Sequence, residues 1–403
     1  MRTRMADLLP VAEAQRLILE RAKRTDAERV PIERAVGRVL AEPALAAVDL
    51  PPFPSSAMDG FALRSADAAA PVTLSVVARI AAGSPAGRSL GPGEAMAIST
   101  GGVVPDGADA VVPVELVEET ADGVRVREAV PAGANLRPQG GDVRAGTTVL
   151  EPGARLGPAQ VGALAAAGVA DVRCAKRPRV GILVTGSELR RPGEELAPGQ
   201  IYESNGPLLS TALGFAGAVP AQLGVVADDR EEHRRTMERA LLGFDMLVTS
   251  GGASVGPHDL VREVQRELRV EEVFWGVAVK PGKPVAFGVR RDHLVFNLPG
   301  NPVSVLATFE LFVRPAVNAL LGIPDPLPAF QRGTLAAPVR RNARRDELVR
   351  AVARRQGGDV ALEPVAGQDS HMIVRAAQAS VLVLVEAGEG EVSAGETVSF
   401  LPL

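Results

Sequence analysis

The chain has 403 residues, 46% of them apolar and 23% charged, an ordinary globular composition long enough for roughly two to four domains. A net charge of −4 gives no global field favouring nucleic acid or anionic lipid, and 3% aromatic residues leave little for stacking bases. The single cysteine, Cys174, excludes an internal disulfide framework and fits an inert buried thiol in a reducing compartment.

The opening "MRTRMADLLPVAEAQRLILE" is amphipathic and broken by acids, unlike a signal peptide. No apolar run reaches the ~18 residues of a spanning helix, so a cytoplasmic protein without membrane or nucleic-acid partners is expected. In "VPIERAVGRVLAEP", Ile32, Ala35, Val36, Val39 and Leu40 recur at helical offsets, which predicts a helix starting at Pro31. The proline-rich "LPPFPSSAMDG" ends that pattern, and from about Asp59 to Asp142 the texture is β-rich. There "VTLSVVARI" and "DAVVPVELVEE" read as strands, with Asp122-Gly123 as a hairpin turn before "VRVREAV". "LGPAQVGALAAAGV" returns to helix, with Pro158 near its start and Gly168 near its end.

From Arg179 the chain alternates strand and helix: "RVGILVT", "GPLLSTALGFAGA", "PAQLGVVAD", "REEHRRTMERALLGF", "DMLVTSG", "HDLVREVQREL". Alternation with short loops predicts a parallel sheet covered by helices on both faces, with ligands bound beyond the strands' carboxyl ends. The last seventy or so residues carry short β-like runs and glycine turns, which predict a small barrel or sandwich. The expected division is residues 1–45 plus 146–178 as a helical linker domain and 46–145 as a β-rich domain. Residues 179–326 form the α/β domain and 327–403 the C-terminal barrel.

Four loops fall where that α/β region places a site: "TGSEL" (Thr185, Gly186, Ser187, Glu188), "SGGASVG" (Ser250, Gly251, Gly252, Ser254, Gly256), "KPGKP" (Lys280, Lys283) and "LPGNPVS" (Pro299, Gly300, Asn301, Ser304). Glycine admits close backbone approach, and successive N–H groups make an anion-binding concavity. One such loop is no more than a tight turn; four around one sheet point to a phosphate or nucleotide. "KPGKP" is no P-loop, because prolines stand where donors are needed, but it fixes two ammonium groups on a stiff bend. Asp59, Asp142, Glu188, Asp228 and Asp259 lie in loops, and with a phosphate-bearing ligand the set suggests Mg²⁺. Four histidines and one cysteine give no zinc spacing, and GxSxG, HExxH and a strand-borne GxGxxG are absent.

These residues resemble the MoeA family of molybdopterin molybdenumtransferases, which includes the C-terminal domain of gephyrin. The likeness runs through "PPFPSSAMDGFALR", "STGGVVPDGADAVVPVE", "NLRPQGGDVRAG", "PRVGILVTGSEL", "GQIYESN", "DMLVTSGGASVGPHDL", "KPGKPVAFG", "LPGNPVSVLATFELFVRP" and "GQDSHM", in the family's order. It implies a Mg²⁺-dependent transferase that takes adenylylated molybdopterin and molybdate, inserts molybdenum and releases AMP. The nucleotide-bearing ligand would lie along Ser250 to Gly256 with Thr185 and Glu188, and Asp228 and Asp259 would stand near the metal and anhydride. The molybdate pocket would be Lys280, Lys283, Ser304, Arg350 and Ser370. The family is dimeric, so Asp59, Thr100 and Asp142 would act across the interface; Gly141 stands where the family often has an acid. Transient contacts with the molybdopterin adenylyltransferase and with molybdoenzymes would follow.

An adenylyltransferase or nucleotide pyrophosphatase on the same α/β domain is the nearest alternative, but needs only about Arg179 to Asp325. A gephyrin-like scaffold is the alternative of another class. Against it, the chain lacks a long linker or second α/β domain and keeps its loop carboxylates.

Overall fold

The computed structural model describes residues 8–69, 71–227, 229–251 and 260–403. The apolar alternation from Arg179 produces one six-stranded sheet. Its order is Val219–Val226, Arg179–Thr185, Met246–Ser250, His293–Leu298, Ala286–Arg290, Glu271–Trp275. The first four strands are parallel, as expected, and the last two pairings are antiparallel, so Ala286–Arg290 runs against the other five. The change of direction is forced at Arg290↔His293, where a two-residue connection is far too short for a parallel crossover. One face packs Val11–Leu19, Asn205–Ala216 and the helical run from Pro302 to Leu320 over Phe287, Phe296 and Val248. Arg230–Gly243 and Leu260–Glu267 cover the other face through Met237, Leu241 and Val264. Each fully buried phenylalanine contributes about 1.5–3 kcal/mol, so this two-sided burial fixes the strand ends firmly.

The helices start and stop where the chain dictates. The Asp229 carboxylate accepts the Glu232 N–H at 2.7 Å to cap Arg230–Gly243. Gly217, at φ 102°, ends Asn205–Ala216. The stretch Pro302–Leu320 is, by length and composition, apolar enough to cross a membrane, but 78% of its apolar window is buried within the protein.

The helix expected from Ile32 to Leu40 does not form. Ala27–Pro31 is a strand against Asp171–Ala175, Ile32–Arg34 is a single 3₁₀ turn, and Gly37 sits at φ 78°. Val36, assigned to a buried face by its spacing, is 61% exposed. Non-local backbone pairing, including Leu40 N–H to Ala154 O at 3.0 Å, overrides local periodicity there. A second ladder joins Ala44–Leu45 to Thr148–Leu150, so the segments flanking the β-rich region meet. Between them lies Cys174, fully buried, its thiol pKa pushed up by burial.

The β-rich region forms a sheet in the order Ala110–Pro113, Gly60–Leu63, Glu94–Ile98, Val72–Ile80, Gly123–Val126, Val117–Thr120. Its hairpin turn is Ala121-Asp122, one residue earlier than expected, since Thr120 already pairs with Gly123. Gly123 is needed for another reason: a Cβ there would strike the Leu74 carbonyl of the neighbouring strand.

At the C-terminus Asp346–Gln356, Asp359–Pro364, Gln331–Leu335, Thr397–Pro402 and Val381–Val385 close into a five-stranded barrel around Val349, Leu362, Val383 and Phe400. Val279–Lys280 adds in parallel to Asp346–Glu347, stitching the barrel to the α/β domain beside "KPGKP".

Candidate functional site

The parallel strands Arg179–Thr185, Met246–Ser250 and His293–Leu298 end side by side, and a cleft of about 690 Å³ opens there. Thr185, Gly186 and Glu188 form one wall, Ser250 and Gly251 the floor, and Pro299, Gly300 and Asn301 the far side. Residues of all four loops thus line the cleft, "SGGASVG" through Ser250 and Gly251, the only two of its residues that are described, and "KPGKP" through Pro284 alone. Gly186 lies at φ 152°, and a Cβ there would come 2.7 Å from the Glu188 carboxylate. Ser187 sits on the outer side of the same turn, its carbonyl accepting from Arg190 at 3.1 Å.

The inner wall is an ordered polar network that the sequence reading missed. Asn205 is 7% exposed and donates its amide to Gly300 O at 2.7 Å and to Ser250 Oγ at 2.9 Å. A carbonyl only accepts, so the amide orientation is fixed. Ser250 Oγ in turn donates to Pro299 O at 3.1 Å. One side chain thus locks the helix start at Asn205 to two cleft loops. Asn205 Oδ1 and Thr185 Oγ1 are buried without a hydrogen-bond partner among the described residues. Beneath the floor, Thr249 donates to Asn297 Oδ1 at 2.8 Å, and Asn297 and Gln265 exchange amide bonds at 2.6 and 2.9 Å. Buried amides so fully paired tie Leu260–Glu267 to the sheet. The signal for Asn205 lay in "GQIYESN", where an amide opens an apolar helix.

Asn205→Ala is expected to lose about 2 kcal/mol of stability, by orphaning Gly300 O and disturbing Ser250. It should also weaken binding of the nucleotide expected at these loops about tenfold through loss of loop register. Thermal unfolding and nucleotide titration check both; wild-type affinity would leave the amide a strut only.

Charge in the cleft is one-sided. Glu188 and the 7%-exposed Glu203 face it, His371 lies on the rim, and no lysine or arginine lines it among the described residues. Glu203 is held in place by the Gly206 N–H at 2.6 Å.

The residues implied for molybdate are spread about the junction with the barrel, and neither the cleft nor the pocket beside Lys280 brings the five together. Asn301 donates to Ser370 Oγ at 2.8 Å, and Val303 N–H to Ser370 O at 3.2 Å. Ser304, 4% exposed, follows on the same helix start. Arg350 is 1% exposed and donates to Gln368 Oε1, Gly367 O and Asp369 O at 2.9–3.2 Å, so it shapes the loop that presents Ser370. Burial lowers its pKa, partly offset by Asp369 and Glu347. Lys280 Nζ is 2.9 Å from Glu347 and lines a separate pocket, while Lys283 is half-buried and lines neither.

Asp59 and Thr100 are together in the β-rich domain, the Thr100 N–H donating to Asp59 Oδ1 at 2.7 Å. Asp142 is exposed, its N–H bound to Leu50 O at 2.9 Å. None of the three lines the main cleft. Asp228, Gly252, Ser254, Gly256 and Asp259 lie outside the described residues. Among the described residues no group of three or more His, Cys, Asp or Glu is placed to hold a metal.

Residues 9–168 match the MoeA N-terminal region (domain I and II), 181–319 the probable molybdopterin binding domain, and 332–403 the MoeA C-terminal region (domain IV). The chain is 37% identical to molybdopterin molybdenumtransferase 2 of Mycobacterium tuberculosis over 360 residues, covering 87% of this chain and 89% of that one. With the molybdopterin molybdenumtransferase of Haemophilus influenzae it shares 34% identity over 389 residues, 94% of each chain. The crystal structure of a molybdopterin biosynthesis MoeA protein from Pyrococcus horikoshii superposes with a TM-score of 0.87 at 30% identity, covering 98% of this chain and 100% of that one.

Proposed function

The chain belongs to the MoeA family of molybdopterin molybdenumtransferases, and on that premise we propose that it inserts molybdenum from molybdate into adenylylated molybdopterin and releases AMP. It is a transferase of molybdenum cofactor biosynthesis. The AMP leaving group, the Mg²⁺ requirement and the residue roles are our reading.

The observation that carries it is the separation of charge around one junction. The cleft at the strand ends has glycine turns and carboxylates but no lysine or arginine among the described residues, whereas Arg350 and Lys280 lie beyond it on the barrel side. A phosphoanhydride beside Glu188 and Glu203 is repelled unless a cation accompanies it. Oxygen donors of this kind fit a hard divalent ion, which when bound neutralises developing phosphate charge. Glu188 would hold it, with Asp228 and Asp259 as the further acids. The N–H groups at Gly251 and Gly300 would cradle the nucleotide phosphate, and Asn205 keeps their two loops in register. Lys280, Lys283, Ser304, Arg350 and Ser370 would hold the molybdate dianion.

Asp59, Thr100 and Asp142 would complete the cleft from a second copy in a two-fold dimer. We read the protein as cytoplasmic, meeting the adenylyltransferase and recipient molybdoenzymes only transiently.

The test is incubation of the purified chain with adenylylated molybdopterin, molybdate and Mg²⁺. AMP should appear in step with molybdenum incorporation, and both should cease with a chelator. AMP release indifferent to molybdate would replace this reading by a nucleotide pyrophosphatase.

A further inference from the structure

Glu203 lines the cleft and also a second hollow, of about 380 Å³, on the side of the edge strand Val219–Val226. Arg191 is exposed at this hollow, and Ile182, Val184, Val225 and Pro207 give it apolar walls. We propose that Glu203 selects and orients the pterin ring of the substrate, accepting the paired N–H donors of its aminopyrimidinone edge inside this hollow. That the ring is a pterin rests on the function proposed above; a hollow that reads this edge does not.

The first argument is a buried acid with spare capacity. Glu203 is 7% exposed, and its Oε1 accepts the Gly206 N–H at 2.6 Å. Among the described residues its Oε2 takes no hydrogen bond, and no lysine or arginine closes an ion pair with it. A carboxylate so withdrawn from water is costly until donors reach it. Gly206 keeps the approach open, since a Cβ there would come 2.9 Å from Oε2. A ring N–H beside an amino group presents two parallel donors, the pattern by which an arginine fork grips a carboxylate. Adenine offers a donor beside an acceptor instead, which a carboxylate repels. Because Glu203 stands between the two compartments, it therefore sets which end of a two-ringed substrate enters which.

The second argument is that the hollow is built on both sides. Glu203 N–H bonds Arg190 O at 2.8 Å, continuing the short ladder of Leu189–Arg190 with Ile201–Tyr202. Tyr202 donates its hydroxyl to Glu194 O at 2.9 Å, and Glu194 Oε2 accepts the Arg191 N–H at 2.9 Å, holding the rim. On the strand side the register slips between Ile182↔Gln222 and Leu183↔Gly224, leaving Leu223 outside the ladder. Leu223 packs on the far face of the sheet, and Gly224, at φ 103°, has nothing within 4 Å of a Cβ. Such a bulge bends an edge strand and makes room beside it.

Fluorescence titration of the full chain with 6-hydroxymethylpterin and with its lumazine counterpart, in which oxygen replaces the amino group, tests the assignment. The wild type should prefer the pterin by about tenfold or more, the margin of one charge-assisted contact. Glu203→Gln keeps an acceptor for the Gly206 N–H but puts a donor in place of the second oxygen. Its preference should vanish or reverse, with AMP affinity within about twofold of wild type. Val225→Phe, which fills the hollow from the edge strand, should weaken both rings at least about fivefold and spare AMP. Guanosine carries the same edge: binding equal to the pterin marks recognition of the edge alone, weaker binding marks recognition of the whole ring, and either supports the site. Equal affinity of the wild type for pterin and lumazine, or an undiminished preference in Glu203→Gln, would overturn it. So would a changed Mg²⁺ half-saturation as the sole defect of Glu203→Gln, which makes the acid a metal ligand. A chain that tells the two rings apart yet inserts no molybdenum would sink the function while leaving this site standing.

Discussion

Gly251→Ala is expected to abolish molybdate-dependent AMP release, with a loss above about 100-fold, and to lower the unfolding temperature by several degrees. Gly251 lies at φ 90°, where a side chain alone costs about 1–3 kcal/mol. The added Cβ would also strike the Thr185 carbonyl and come 2.8 Å from Thr185 Oγ1. Neither strand can yield, because Val184 and Ser250 are paired in the parallel ladder immediately before the collision. Relief must come from displacing the glycine loop, which is the phosphate-binding element of the proposed reaction. Gly214→Ala supplies the control: it lies inside Asn205–Ala216 with nothing within 4 Å of a new Cβ, and should be neutral or slightly stabilising. Calorimetry and an AMP-release assay on both variants decide the matter. Wild-type turnover by Gly251→Ala would remove this loop from the chemistry.

That contrast also explains what was legible beforehand. Strand ends followed by glycine announce a site, because a parallel sheet leaves its ligands nowhere else to go. Gly251 and Gly300 stand out in this way, and both line the cleft. Asn205 was not, since a polar residue at a helix start is ordinarily a local capping matter, and its partners are 45 and 95 residues away. The failed helix at Ile32–Leu40 has the same cause. Its spacing is right for a helix, but Val39 and Leu40 are claimed by bridges to Arg155 and Cys174 that no local pattern records. The slipped hairpin at Ala121-Asp122 differs: Gly123 looked like a turn residue, but it is spared a side chain because the Leu74 backbone passes so close. Glycine signals need for room without saying whether a ligand or the chain itself will occupy it.

Charge gave a further lesson. Lysines and acids were read as one convergent set, whereas the described structure divides them: Glu188 and Glu203 on the cleft, Lys280 across a strand junction with the barrel. Such a division suits two dissimilar ligands, a nucleotide carried with a hard cation and a free dianion needing fixed cations. It would hold them apart until both are present, since an acidic wall disfavours a bare oxyanion in the cleft.

Arg350→Met should separate structure from chemistry at the point where these halves join. The guanidinium is almost fully buried without a carboxylate in hydrogen-bond contact among the described residues, and its donors satisfy the Gln368 side chain and the Gly367 and Asp369 carbonyls. Removing it strands these acceptors, so a loss of about 3 kcal/mol is expected, with Arg350→Ala losing more because a cavity is added. The loop so held carries Ser370, whose oxygens take bonds from Asn301 and Val303. Half-saturation by molybdate should therefore rise at least about tenfold in Arg350→Met, while AMP affinity stays within about twofold. Molybdate titration and nucleotide binding, measured below the variant's unfolding transition, read the two effects independently. If molybdate saturates the folded Met variant as it does wild type, Arg350 is a brace for the 367–370 loop, and the dianion is held by Lys280 and its neighbours without it.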